Sequence, residues 1–199
     1  MFFSKSLVVI FLTISLNCVF SFKLECYYYY HLARKNTYKC EALELTITEP
    51  NQIVSEVVGN QEPGRETEDV VMLLFERQKT EYLPQGLNKF FPNVNNLVVM
   101  ESELKHLTKH DLKNFPKLKN IFIARNNIES LPNDLFEYTP EIKSKFLKDN
   151  NIKHIGRDIF KPLKQLESVN LEGNICINEN ASGHNEIETM MEKATACYQ

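Results

Sequence analysis

His106 and His110 are the only histidines in this chain whose spacing, four residues, would place two metal ligands on one helical face. A hydrolytic zinc site of that design needs a glutamate directly after the first histidine, and Leu107 stands there instead. His110-Asp111 and His154 have no serine, threonine or cysteine nucleophile at a partner position, and no glycine-rich phosphate loop occurs. The expectation is therefore no catalytic residue, no metal and no cofactor. Recognition chemistry is better supplied. Leu74, Val98, Phe122, Phe146 and Asn170 recur at 24-residue intervals, and Met100, Arg125 and Lys148 lie two or three residues beyond members of that series. Aromatic and aliphatic groups in register, rimmed by charge, are the materials of a protein-binding surface.

The elements that would position them are repeats. From Phe115 to Leu131 the apolar residues Phe115, Leu118, Ile121, Ile123, Ile128 and Leu131 are spaced 3, 3, 2, 5 and 3, with Asn126 inside the long gap. That spacing is neither helical nor strand-like throughout, but it recurs. Repeats begin at Thr67, Phe91, Phe115, Thr139 and Leu163. Their ninth positions are Phe75, Val99, Ile123, Leu147 and Leu171, and their twelfth are Gln78, Ser102, Asn126, Asn150 and Asn174. A short amide at the twelfth position satisfies backbone groups where the chain leaves a strand and bends away, so Asn126, Asn150 and Asn174 should form a ladder.

The L-x-x-L-x-L-x-x-N-x-L pattern in a period of 24 resembles extracellular leucine-rich repeat proteins from Thr67 to Asn174, or from Phe22 to Gln199 with the caps included. The stretch from Asp69-Val70 through Leu83-Pro84-Gln85-Gly86-Leu87 to Lys89-Phe90-Phe91-Pro92-Asn93 is similar to small secreted repeat proteins of flies and midges. The resemblance implies an α/β solenoid: a horseshoe with a parallel concave β-sheet, a β-hairpin amino-terminal cap and a helical carboxy-terminal cap, binding other molecules on the concave face. Two departures stand out. Lys145 fills the seventh position, apolar in the other four repeats, and is a candidate for a local register change; the carboxy-terminal cap has two cysteines where many have four.

The two ends read as follows. Residues 1–21 have the basic start and apolar run of a secretory signal peptide cut near Ser21, and no later stretch is long enough to span a bilayer. Cleavage removes Lys5, taking the formal net charge from −3 to −4. Without a polybasic run, nucleic acid and anionic lipid are not expected partners. Cys18 leaves with the leader, and Cys26, Cys40, Cys176 and Cys197 allow three pairings. Cys26–Cys40 with Cys176–Cys197 is preferred, because each then ties off one end of a repeat stack. Residues 22–66 form the amino-terminal cap, 67–174 about five repeats and 175–199 the carboxy-terminal cap. In the first cap Tyr27–His31 and Tyr38–Ile47 read as strands around an Arg34–Thr37 turn, with the tyrosine rings on both faces. In the last, Ile187, Met190, Met191 and Ala194 share a helical face, Asn185 and Glu188 are placed as a capping box, and Asn180-Ala181-Ser182 is a glycosylation sequon.

Sixth, eighth and tenth repeat positions alternate with the inward seventh and ninth, and so face the concave side. Ligand contact is expected there from Leu74, Val98, Met100, Phe122, Arg125, Phe146, Lys148 and Asn170. These features together lead to a secreted, non-enzymatic module that binds an extracellular protein, in signalling or innate defence. The alternative is a structural or self-associating extracellular protein.

Overall fold

A computed structural model describes residues 20–31 and 34–198. Of the expected signal peptide, residues 1–21, positions 1–19 including Cys18 lie outside the described residues. Four strands precede the repeats: β1 (Ser21–His31), β2 (Arg34–Ala42), β3 (Thr46–Ile47) and β4 (Ile53–Val58). The repeats contribute β5 (Met72–Glu76), β6 (Lys79–Thr80), β7 (Asn96–Met100), α1 (Lys109–Leu112), β8 (Asn120–Ala124), β9 (Ser130–Leu131), β10 (Ser144–Phe146), β11 (His154–Ile155) and β12 (Ser168–Asn170). β13 (Asn180–Ser182) and α2 (His184–Lys193) follow.

One nine-stranded sheet, in the order β13-β12-β10-β8-β7-β5-β2-β1-β4, runs the length of the molecule. From β2 to β12 its strands are parallel; from β5 onward residues 24 apart sit side by side, Leu73 beside Leu97, Ile121, Lys145 and Val169, while β2 sets Cys40 beside Leu73. The alternation of the sequence now has a cause. Seventh and ninth positions point into the stack and are buried, where each meets the same residue of the neighbouring repeat. The return side carries short 3-10 turns at Thr67–Asp69 and Leu87–Lys89, the single helical turn α1, and the two-residue pairs β3–β6 and β9–β11. Leu83, Leu107, Leu131 and Ile155 close the core from that side.

Where each strand ends, the eleventh residue is left-handed: Arg77 (φ 55°), Glu101 (53°), Arg125 (55°), Asp149 (53°) and Gly173 (69°). Four of these five are not glycine, and such a conformation costs about 1 kcal/mol for an ordinary side chain. The gain is that the amide of each donates to the next repeat: Arg77 to Met100, Glu101 to Ala124, Arg125 to Lys148 and Asp149 to Glu172, at 2.8–3.2 Å. One residue on, the amide ladder takes over. Asn126 Oδ1 accepts from the backbone of Ser102 and Leu104, while Nδ2 donates to the carbonyls of Val99 and Ala124. Asn150 and Asn174 do the same for Ile128 and Ile152. Ser102 and Gln78 continue the series toward the amino terminus, where Gln78 Oε1 accepts from Leu45 at 2.6 Å.

Several expectations need correction. Arg34–Thr37 is not a turn: β2 already begins at Arg34 and pairs antiparallel with β1. Lys145 causes no register change, since β10 pairs in step with both β8 and β12. Its side chain enters the core instead, fully buried, with the ammonium 3.7 Å from the Phe136 ring centre and 4.1 Å from that of Phe160. Asn185 and Glu188 do not cap α2; its first turn begins from Gly183 (φ 82°), which has no side chain to cap it. Cys26–Cys40 bridges β1 to β2, and Cys176–Cys197 ties the last repeat to the turn after α2.

Gly156 shows how closely the return side packs. A β-carbon there would lie 2.1 Å from the amide nitrogen of Asn133 and 2.3 Å from its Cα, in the preceding repeat. Gly156→Ala is expected to lower stability by roughly 1–3 kcal/mol, since backbone must move to admit it. A melt unchanged from wild type would show that the two turns are not in contact.

Candidate recognition surface

The outward face of the sheet carries three parallel rows. The central one follows the eighth repeat positions: Leu74, Val98, Phe122, Phe146 and Asn170, adjacent across β5, β7, β8, β10 and β12. Phe122 and Phe146 are half-buried and stack with ring centres 4.7 Å apart and planes 4° from parallel. In-register parallel pairing imposes that stack, because strand spacing and ring-stacking distance nearly coincide. The row does not offer itself equally along its length. Leu74 and Asn170 are each 8% exposed, and Asn170 is held by Glu172 through its amide and through the Glu172 backbone. The accessible apolar stripe is Val98, Phe122 and Phe146.

On one side lies an uncharged row, Asn96, Asn120, Ser144 and Ser168, in which Asn120 Nδ2 donates to Asn96 Oδ1 at 2.9 Å. On the other, Met100 and Ala124 are half-buried and Lys148 is exposed. Beyond them the left-handed eleventh residues project an alternating charge line. Glu101 sits between Arg77 (3.2 Å) and Arg125 (2.8 Å), and Arg125 also reaches Asp149 (3.9 Å). Arg125 first, and then Arg77, hold the Glu101 carboxyl below the usual carboxylate range. Arg125 is thus already paired, a rim group with its charge balanced.

The surface extends further than the sequence alone indicated. Antiparallel pairing sets Tyr27 opposite Glu41 and Tyr29 opposite Lys39, and β2 sets Glu41 beside Leu74 and Lys39 beside Met72. Tyr27 and Tyr29 therefore continue the outward face, whereas Tyr28 and Tyr38 are buried behind it. Tyr27 is 59% exposed, Tyr29 Oη donates to Glu41 at 2.7 Å, and the Lys39 ammonium lies 4.1 Å from the Tyr29 ring centre. The signal available in the sequence was Cys26–Cys40: a bridge from two inward positions leaves Tyr27 and Tyr29 facing outward.

The candidates for chemistry do not assemble. His106 stacks on Tyr82 (4.7 Å between ring centres), and Asp111 is engaged in capping α1 through the Thr108 amide and hydroxyl. Among the described residues no three of His, Cys, Asp and Glu gather closely enough to hold a metal ion, and no helix is long and apolar enough to cross a membrane. A groove of about 800 Å³ lies between the last repeat and α2, walled by Phe160, Leu163, Leu166, Ile187, Met191 and Tyr198. Its charged rim is mixed in sign, with Lys161 and Lys164 against Glu188 and Glu192.

The leucine rich repeat family profile matches residues 116–175. Among solved structures, the chain is similar to the Toll–Spatzle complex, described as a molecular hub in Drosophila development and innate immunity. Identity is 23% over 62% of this chain and 17% of that chain, with a TM-score of 0.52. Its glycosylated form matches at 26% identity over 56% of this chain and 15% of that one, with a TM-score of 0.51. The TLR13–ssRNA13 complex matches at 17% identity, 61% and 18% coverage, and a TM-score of 0.51. This chain spans less than a fifth of the length of each of these relatives. No curated protein sequence matches it. Repeat register, the buried amide ladder and these likenesses converge on one architecture: the chain folds as a leucine-rich repeat solenoid.

Proposed function

We propose that this protein is a secreted, non-enzymatic recognition module that binds an extracellular protein through the outward, concave face of its sheet. The observation that carries this reading is the stacked, half-exposed Phe122–Phe146 pair with Val98 beside it, on a face that nothing else in the described chain covers. Aromatic anchors inside a polar rim are the usual centre of a protein interface. Two disulfides suit an oxidising compartment. One similar structure is a complex with a protein and another a complex with single-stranded RNA. The protein alternative fits this chain better, because the cations Arg77 and Arg125 are neutralised by Glu101 and Asp149 and the chain is net negative. Extracellular signalling or innate defence is the setting the reading implies.

The test is capture of partners from extracellular fluid on immobilised protein, beside a Phe122→Glu/Phe146→Glu double variant whose fold is checked by its melt. Both rings are half-exposed, so the variant should fold, and it should lose at least about tenfold in affinity for a partner held by the wild type. Equal retention by both proteins would move the site off this face.

A self-associating structural role is the second reading. It is favoured by Ile175, which is 62% exposed outside the central row. Concentration-dependent oligomers in sedimentation would support it, and a monomer across the accessible range would remove it.

A further inference from the structure

We infer that Asn180 carries an N-linked glycan and that this glycan sets the carboxy-terminal limit of ligand contact on the concave face. The inference rests on the extracellular reading above. Asn180-Ala181-Ser182 is the only N-x-S/T sequence in the chain. It forms β13, the last strand of the sheet, antiparallel to β12. Ala181 faces inward against Val169 and is buried, so Asn180 and Ser182 face outward, opposite Asn170 and Ser168. Both are exposed, and among the described residues neither the Asn180 amide nor the Ser182 hydroxyl makes a hydrogen bond. In this respect Asn180 differs from Asn126, Asn150 and Asn174, whose amides are committed to the backbone ladder.

The chemistry needs an oligosaccharide donor linked to lipid through pyrophosphate. Asn180 Nδ2 forms a bond to the anomeric carbon as the carbon–oxygen bond to pyrophosphate breaks; lipid pyrophosphate departs and Nδ2 gives up one proton. Position then decides the consequence. β13 is two strands from β10, so the glycan is rooted about 10 Å from Phe146 in the same row. It overlies Asn170 and borders Phe146. No other sequon lies between Phe146 and Tyr27, leaving the amino-terminal part of the face clear.

The test is expression of the full chain in a glycosylating eukaryotic secretory host, beside Asn180→Gln. The secreted wild type should be heavier by one glycan, removable by an N-glycosidase, and the variant should not. The chain has no tryptophan, so Phe146→Trp introduces a single fluorescent reporter into each background. Quenching by acrylamide should be weaker with the glycan than in Phe146→Trp/Asn180→Gln. Export without a glycan would overturn the site, and equal quenching would overturn its placement over the face. Failure of the chain to be exported would instead overturn the extracellular reading on which the inference rests.

Discussion

Lys145→Leu should make this protein more stable, by roughly 1–4 kcal/mol at pH 7. In a domain of this size that is a rise of about 2–4 °C in Tm for each kcal/mol. The lysine is fully buried, and its ammonium has no hydrogen-bond partner among the described residues. The rings of Phe136 and Phe160, at 3.7 and 4.1 Å, offset part of the charge. Cation–π attraction contributes about 2 kcal/mol or somewhat more when desolvated. Removing an ammonium from water costs several kcal/mol, so the desolvation term wins. Leucine already occupies the equivalent site at Leu73 and Leu97, so the replacement is shaped for its place.

The same substitution should change the pH dependence. Burial holds the Lys145 amine well below the ordinary lysine range in the folded protein, whereas in the unfolded chain it titrates near 10.4. Between those two values the unfolded state binds more protons, so stability rises with pH through this window and the penalty is complete below it. Melts of both proteins at pH 7 and pH 10 give the difference directly, with every other group cancelling. The stability gap should narrow at pH 10. A variant no more stable than wild type, or a gap of constant size, would show that the amine is solvated or paired in solution.

The opposite effect is expected at Asn126. Asn126→Ala leaves the Ser102 and Leu104 amides and the Val99 carbonyl without the partner that now reaches them, in a buried site. Each buried orphan costs about 1–3 kcal/mol, so a total loss of roughly 3–5 kcal/mol is reasonable if water relieves part of it. Asn126→Asp keeps the acceptor and loses the donor, and should fall between. Urea melts that place alanine and aspartate together, near wild type, would mean the ladder is decorative.

Most of the architecture could be read from residue order, because a parallel stack in register copies its period into the sequence. The buried rows and the amide ladder follow from that, and the need to close each end of such a stack suggests the local bridges Cys26–Cys40 and Cys176–Cys197. The left-handed residues did not show: Arg77, Glu101, Arg125 and Asp149 carry no glycine signal, and only Gly173 hints at the backbone they share. Lys145 misled for a related reason. A charged residue at an apolar position suggests a slip, yet pairing to β8 on one side and β12 on the other outweighs the preference of one side chain. The face presented by Tyr27 and Tyr29 depends on antiparallel register, which strand propensity alone does not specify. Within the candidate site, the sequence placed the Phe122–Phe146 row. It did not show that Leu74 and Asn170 would be largely covered by their neighbours.

The amide ladder points one way. Asn126 completes the turn of the repeat before it, Asn150 that of Asn126's repeat, and Asn174 the next, while Gln78 completes the segment at Leu45. On the ribosome the chain appears from its amino terminus, so each repeat must wait with bare amides until its successor emerges. Cotranslational assembly of this protein therefore trails synthesis by one full repeat, and a nascent chain stalled anywhere within the stack holds an unfinished last turn for chaperones to recognise.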